Sequence, residues 1–219
     1  MTVKRALTTT LLVKEAARFA ERECRHKELS LYGVTDGKAV GTYLEHKFVE
    51  YLKTSFSFEE GNSASGIDLP SLDVDIKVTS IRQPQSSCPY KSARQKIVGL
   101  GYSLLVFVYD KTDDAKWKTS KLDIQHTVYV DASRTADFQM TKGLLEILDR
   151  EGNEDDLVAF MQDKNLPVDE IEARAIASEL LKTRPLQGYL TISNALQWRL
   201  QYGRVIEKAG AIKGIIRVR

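Results

Sequence analysis

The run Gly66-Ile67-Asp68-Leu69-Pro70-Ser71-Leu72-Asp73-Val74-Asp75-Ile76-Lys77 decides how the rest of the chain is read. From Val74 to Thr79 polar and apolar residues alternate within a strand pattern that runs to Ile81, the period-two mark of one covered face. Residues two apart on a strand share a face, so Asp73, Asp75 and Lys77 project one way. Val74, Ile76 and Val78 project the other way, into a core. Asp68 precedes the strand in a loop beside Pro70 and is free to swing onto the polar face. Two carboxylates converging in this way make a hard, oxygen-lined site suited to Mg²⁺, which keeps several waters and takes further ligands from phosphate. A lysine beside it can orient or help deprotonate an attacking water and offset charge developing on phosphate. Taken alone, Asp75-x-Lys77 is equally the mark of an edge strand with a solvated Asp–Lys pair. Asp68 and the flanking alternation tip the balance.

Upstream, Thr9 or Thr10 caps a predicted helix with Leu11, Leu12, Ala16, Phe19 and Ala20 on one stripe. A glycine-bounded turn, 33–37, leads to a second helix from about Lys38 to Lys53, with Tyr43, Leu44, Phe48, Tyr51 and Leu52 inward. Downstream, Ala93 to Leu100 reads as a short helix, Tyr102 to Tyr109 as a buried strand and Thr127 to Val130 as another. From Phe138 onward the spacing is helical, ending in a helix over Thr191–Tyr202 capped by Ser193.

At this point the residues resemble the PD-(D/E)xK nuclease superfamily, with Asp68 as first acid and Asp75-Ile76-Lys77 as the (D/E)xK element. The short gap between them is similar to that of the mismatch-repair nicking endonuclease and the type II restriction endonucleases related to it. Val40-Gly41-Thr42-Tyr43-Leu44-Glu45 resembles the glycine-containing helix whose glutamate approaches the metal, which assigns Glu45 that role by resemblance. Glu50 competes for it but lies five residues on, off the same helix face. The middle acid here is Asp75 instead of the more frequent glutamate, and the resemblance covers roughly residues 38–110.

The resemblance implies an α/β fold with a central mixed β-sheet flanked by helices, the restriction-endonuclease-like core; the spacing after Phe138 adds a helical C-terminal third. With no internal repeat and no clear linker, the chain reads as a single endonuclease domain over 1–219, its catalytic core at about 38–130 and its helical part, for recognition or dimerisation, at about 137–219. Implied too is Mg²⁺-dependent phosphodiester hydrolysis, Mn²⁺ substituting. Asp68, Asp75, the Ile76 backbone carbonyl and Glu45 would hold the metal, and Lys77 would act on the water. A homodimeric type II enzyme cutting double-stranded DNA is the leading reading; a repair or recombination nuclease, or a non-catalytic DNA-binding protein, are the alternatives.

Net charge first argues against a polyanionic partner: 32 Lys and Arg face 30 Asp and Glu, giving +2 over 219 residues. By segment the picture changes. Residues 77–100 carry +5, residues 184–219 carry +6, and residues 137–173 carry −8. Basic segments supply the phosphate-neutralising contacts that DNA binding needs, although a solvated surface face gives the same count. Candidate DNA contacts are Arg82, Lys91, Arg94 and Lys96, the polar loop Gln83, Gln85, Ser86 and Ser87, and Asn194, Gln197, Arg199 and Arg204 near the C-terminus. The chain is 42% hydrophobic with 5 Pro and 13 Gly, which excludes low-complexity and disordered classes. Two cysteines give no disulfide framework, and the longest strongly apolar run, Leu104 to Tyr109, is too short to span a bilayer. The expectation is a cytoplasmic protein without membrane association.

Overall fold

A computed structural model describes residues 4–61, 66–193 and 199–219. In chain order these form β1 (Arg5–Ala6), α1 (Thr9–Glu23), α2 (Gly37–Lys53), β2 (Phe56–Ser57), β3 (Val74–Ser80), β4 (Gln85–Ser87), α3 (Gln95–Val98), β5 (Ser103–Asp114) and β6 (Thr119–Val130). Then come α4 (Phe138–Asp149), α5 (Glu154–Asp163), α6 (Glu170–Lys182), β7 (Thr191–Ile192), β8 (Arg199–Gln201), α7 (Gly203–Lys208) and β9 (Ile215–Arg217). The chain divides into two compact units: Met1–Ser86, Ser103–Val130 and Lys208–Arg219 form the first, Ser87–Tyr102 and Asp131–Glu207 the second.

The first unit is built on a four-stranded sheet in the order β3-β5-β6-β9. β3 runs parallel to β5, while β5–β6 and β6–β9 are antiparallel, so the sheet is mixed and β3 lies at its edge. α1 packs on β6 and α2 on β3. Leu12, Phe19, Leu44 and Phe48 from the helices meet Leu105, Phe107 and Tyr109, alternate residues of β5, in one apolar cluster. Phe19, Phe48 and Phe107 pack ring against ring, with centroids 5.0–5.9 Å apart. This is the mixed α/β architecture expected from the sequence.

The second unit is mainly helical. Ile97, Met140, Leu144, Leu157, Met161, Ile176 and Leu180 form its core. Its acids have a structural use: Asp137 caps α4, Asn153 and Asp156 form a capping box on α5, and Asp169 caps α6. Carboxylates at helix N-termini satisfy free N–H groups and favour the helix dipole, so much of the −8 is spent on starting helices.

Three local expectations need correction. Thr8, not Thr9 or Thr10, caps α1, accepting from Leu11 N–H at 3.3 Å. β5 and β6 are twelve residues each, longer than the apolar segments suggested, because a polar hairpin arm continues past the core. The helix expected over Thr191–Tyr202 is instead two short strands, β7 and β8, paired antiparallel with Thr191 opposite Gln201. Ser193 joins them as a strand partner, its N–H donating to Arg199 C=O at 3.1 Å. No helix among the described residues is long and apolar enough to cross a membrane.

Candidate active site

Edge strand β3 places the first unit's chemistry. Asp75 is 3% exposed although it carries a carboxyl group, and Ile76 behind it is buried in the core. Lys77 Nζ lies 2.6 Å from Asp75 Oδ2. That oxygen is buried and ion-paired, yet it makes no hydrogen bond among the described residues. Burial pushes the Asp75 carboxyl well above the usual range; Lys77 pulls it down, and the neighbouring Asp68 raises it again.

Asp68 is held by the strand itself. Ile76 N–H donates to Asp68 Oδ2 at 2.7 Å. A tight turn makes this possible: Leu69 and Val74 bridge through Leu69 N–H to Val74 C=O at 3.0 Å and the reverse bond at 3.3 Å. Pro70 opens the 3₁₀ turn between them, and Asp73 closes it in the left-handed region at φ 51°, which a short polar side chain tolerates. Asp73 is therefore an exposed turn residue instead of a third member of the strand's polar row, as strand parity had placed it.

Glu45 comes from α2 and lies within electrostatic reach of this group. Burial raises its carboxyl first and the Asp68 charge raises it further, while Lys77 and His46 lower it. Gly41, one turn earlier on the same face, stands where an added Cβ would lie 3.9 Å from Val78, so α2 packs closely against β3. Glu50 points elsewhere: it is exposed and pairs with Lys53 at 2.6 Å. The helix acid beside Asp68 and Lys77 is Glu45.

These residues fit Mg²⁺. Among the described residues no three acidic, histidine or cysteine side chains form a ready-made cage, but Mg²⁺ needs only one or two carboxylates with water and phosphate completing its shell. The Asp75 oxygen without a hydrogen bond is such a donor. In an extended strand a residue's N–H and C=O leave on the same side, so the Ile76 carbonyl shares the edge on which its N–H holds Asp68.

The expected DNA-contacting residues are distributed unevenly. In the first unit Arg82 is exposed with Asp110 4.0 Å away, and Gln83 is exposed. Thr79 Oγ1 donates to the Gln83 and Gln85 carbonyls, which fixes their backbone. Ser86 is half-buried. In the second unit Ser87 and Lys91 are exposed, and Arg94 is paired with Glu179. Lys96 is only 3% exposed, with burial lowering its pKa; it presents no surface to a duplex. Arg199 lies on β8 and Arg204 on α7, both half-buried, while Asn194 and Gln197 fall outside the described residues. Arg134, a lone cation in a polar turn that carries no sequence signal, donates to the Gln187 carbonyl at 3.2 Å.

The family model described as type II restriction enzyme NspV matches residues 6–217. The type II restriction enzyme NspV of Nostoc sp. (strain ATCC 29411 / PCC 7524) is 67% identical over 212 residues, covering 97% of this chain and 96% of its own. No solved structure matches. With Asp68, Asp75, Lys77 and Glu45 all inside a match that spans nearly the whole sequence, the chain belongs to the NspV family of type II restriction enzymes.

Proposed function

We propose that this protein is a site-specific deoxyribonuclease that hydrolyses phosphodiester bonds of double-stranded DNA. The observation that carries the reading is the buried Asp75–Lys77 pair with Asp68 tethered to the amide between them, in a chain of a restriction-enzyme family. Asp68, Asp75 and the Ile76 carbonyl hold Mg²⁺, or Mn²⁺ in its place, and Glu45 is the further acid beside them. When bound, the cation supplies Lewis acidity toward a phosphate oxygen and makes a nearby water more acidic.

The protein does the remaining work. The turn at 69–74 sets Asp68 before substrate arrives, so this acid need not be ordered at the moment of reaction. Lys77 holds the nucleophilic water by hydrogen bonding and offsets the negative charge that grows on the phosphate. Arg82 and Gln83 from the first unit, and Ser87, Lys91 and Arg199 from the second, contribute contacts to the duplex. The two units act as one endonuclease, and two copies related by a two-fold axis match a palindromic site in cytoplasmic DNA.

The test is digestion of plasmid DNA by purified protein with Mg²⁺ or with EDTA, followed by sequencing of the ends. Discrete fragments with uniform ends, seen only with the metal, support the reading. Nicked circles alone would make it a strand-nicking enzyme, and no cleavage at any salt concentration would sink it.

A further inference from the structure

Within the second unit, two guanidiniums and two aromatic rings stack in series. The Arg204 guanidinium carbon lies 3.7 Å from the Phe138 ring centroid. Phe138 and Tyr189 have centroids 5.7 Å apart at 55°, and the Arg134 guanidinium carbon lies 6.0 Å from the Tyr189 centroid. All four side chains are half-buried.

The backbone beneath them is stitched from two segments. Tyr189 N–H donates to Arg134 C=O at 2.9 Å, Leu190 N–H to Ala136 C=O at 3.2 Å, and Phe138 N–H to Leu190 C=O at 2.8 Å. Ile192 N–H donates to the Asp137 carboxylate at 2.9 Å. Gly188 lets the segments approach, since a Cβ there would sit 2.2 Å from the Ala136 carbonyl oxygen. The rings are fixed in place.

Arg204 departs from the pattern of its neighbours. Arg174 is paired with Glu154, Asp155 and Glu170, and Arg184 with Asp149. Arg204 forms no ion pair among the described residues, and its buried Nε has no hydrogen-bond partner among them. A guanidinium without a counter-ion keeps its charge for a partner that arrives from outside. Stacking on Phe138 fixes the plane of the guanidinium, so less freedom is lost when the fork meets a planar pair of acceptors.

We propose that Arg204, aligned by Phe138, is a specificity-determining contact to duplex DNA, with Arg134 over Tyr189 as the second cation of the same platform. Its fork engages two acceptors together, either the O6/N7 edge of guanine or two phosphate oxygens. This rests on the reading of the chain as a DNA endonuclease.

Binding by the Lys77→Ala protein with Mg²⁺, measured by fluorescence anisotropy on cleaved-sequence and unrelated duplexes over a range of salt, tests it. Adding Arg204→Ala is expected to weaken binding about tenfold or more. A guanine contact confines the loss to the cleaved sequence, and Arg204→Lys does not restore it. A phosphate contact weakens both duplexes alike, lowers the slope of log K against log salt by about 1, and is largely restored by Arg204→Lys. Phe138→Leu should lower affinity in the same direction with an unchanged Tm, and Phe138→Tyr should recover it. If Arg204→Ala lowers Tm below the assay temperature, Arg204→Gln carries the same comparison. Wild-type affinity and salt slope in Arg204 and Phe138 variants, while the parent binds the cleaved sequence, would overturn the proposal. A parent that binds no DNA and a wild type that cuts none would overturn the endonuclease reading beneath it.

Discussion

The carboxylate of Asp68 is anchored by the backbone N–H of Ile76, the residue between Asp75 and Lys77, at 2.7 Å. The anchoring donor is main chain, so the distance between the first acid and the second pair is set by the strand itself. Charge and anchorage at Asp68 are thereby separable.

Asp68→Asn keeps an oxygen for the Ile76 amide but loses the charge. Cleavage should fall by two or more orders of magnitude with Tm near wild type. Asp68→Ala also loses the hydrogen bond, and a bond to a charged group contributes about 1.5–3 kcal/mol, so chemical denaturation should show that additional loss. A wild-type rate for Asp68→Asn would remove Asp68 from the site.

Lys77→Ala should abolish cutting yet leave DNA binding within a fewfold of wild type, because the ammonium acts on the reaction and not on the grip. Gel-shift and digestion assays on the same preparation separate the two effects. Cutting at wild-type rate by this variant would mean the site is misassigned.

Glu45→Gln and Glu50→Gln make a matched pair. Glu45 feels Asp68 and Lys77, whereas Glu50 pairs with Lys53. The first should slow cleavage at least tenfold, the second should leave it unchanged, and parallel time courses would reveal a reversal.

Glu28 supplies the pH dependence. Burial raises its carboxyl, but the Ser30 N–H, His26, Ser30 hydroxyl and Tyr43 bonds outweigh this and hold it at about 2 against an ordinary 4.5. Its contribution is full above pH 4.5 and is lost as pH falls toward 2. Tm should therefore drop more steeply between pH 5 and about 3 in wild type than in Glu28→Gln; equal slopes would contradict the assignment.

The aromatic triad predicts the largest stability loss. Phe48 is fully buried between Phe19 and Phe107, and Phe48→Ala should cost about 3–5 kcal/mol, measurable by urea denaturation.

The sequence was most readable where one physical demand dominated. α2 stood out because it has one covered face, and β3 because its apolar residues alternate with polar ones, although burial reaches Asp75 and Thr79 on the polar side as well. The outer β5–β6 arm was hidden because Asp110 to Asp114 and much of its partner strand are polar, leaving hydrogen bonding without a burial pattern. Ile192, Leu200 and Tyr202 are buried, yet they belong to two short paired strands and the residue after them, and Leu200 and Tyr202, two apart, carry a strand spacing in too short a run to read as one. Strand parity carried one residue too far for Asp73, which sits in a left-handed turn and faces solvent. The proximity of Asp68, Asp75 and Lys77 was legible through their spacing; the Ile76 amide was not, because a main-chain donor has no letter of its own.

The acids that start helices in the second unit carry a consequence for how such a chain can drift. A protein under pressure to hold a polyanion more tightly gains by losing negative side chains. Asp137, Asp156 and Asp169 are not free to go, since each anchors a helix N-terminus. Asp163, at the end of α5, and Glu151, in the left-handed turn after α4, carry no such duty. Relatives adapting to different salt should therefore exchange acids at those two positions and preserve the three caps, a lineage constraint fixed by folding and not by DNA.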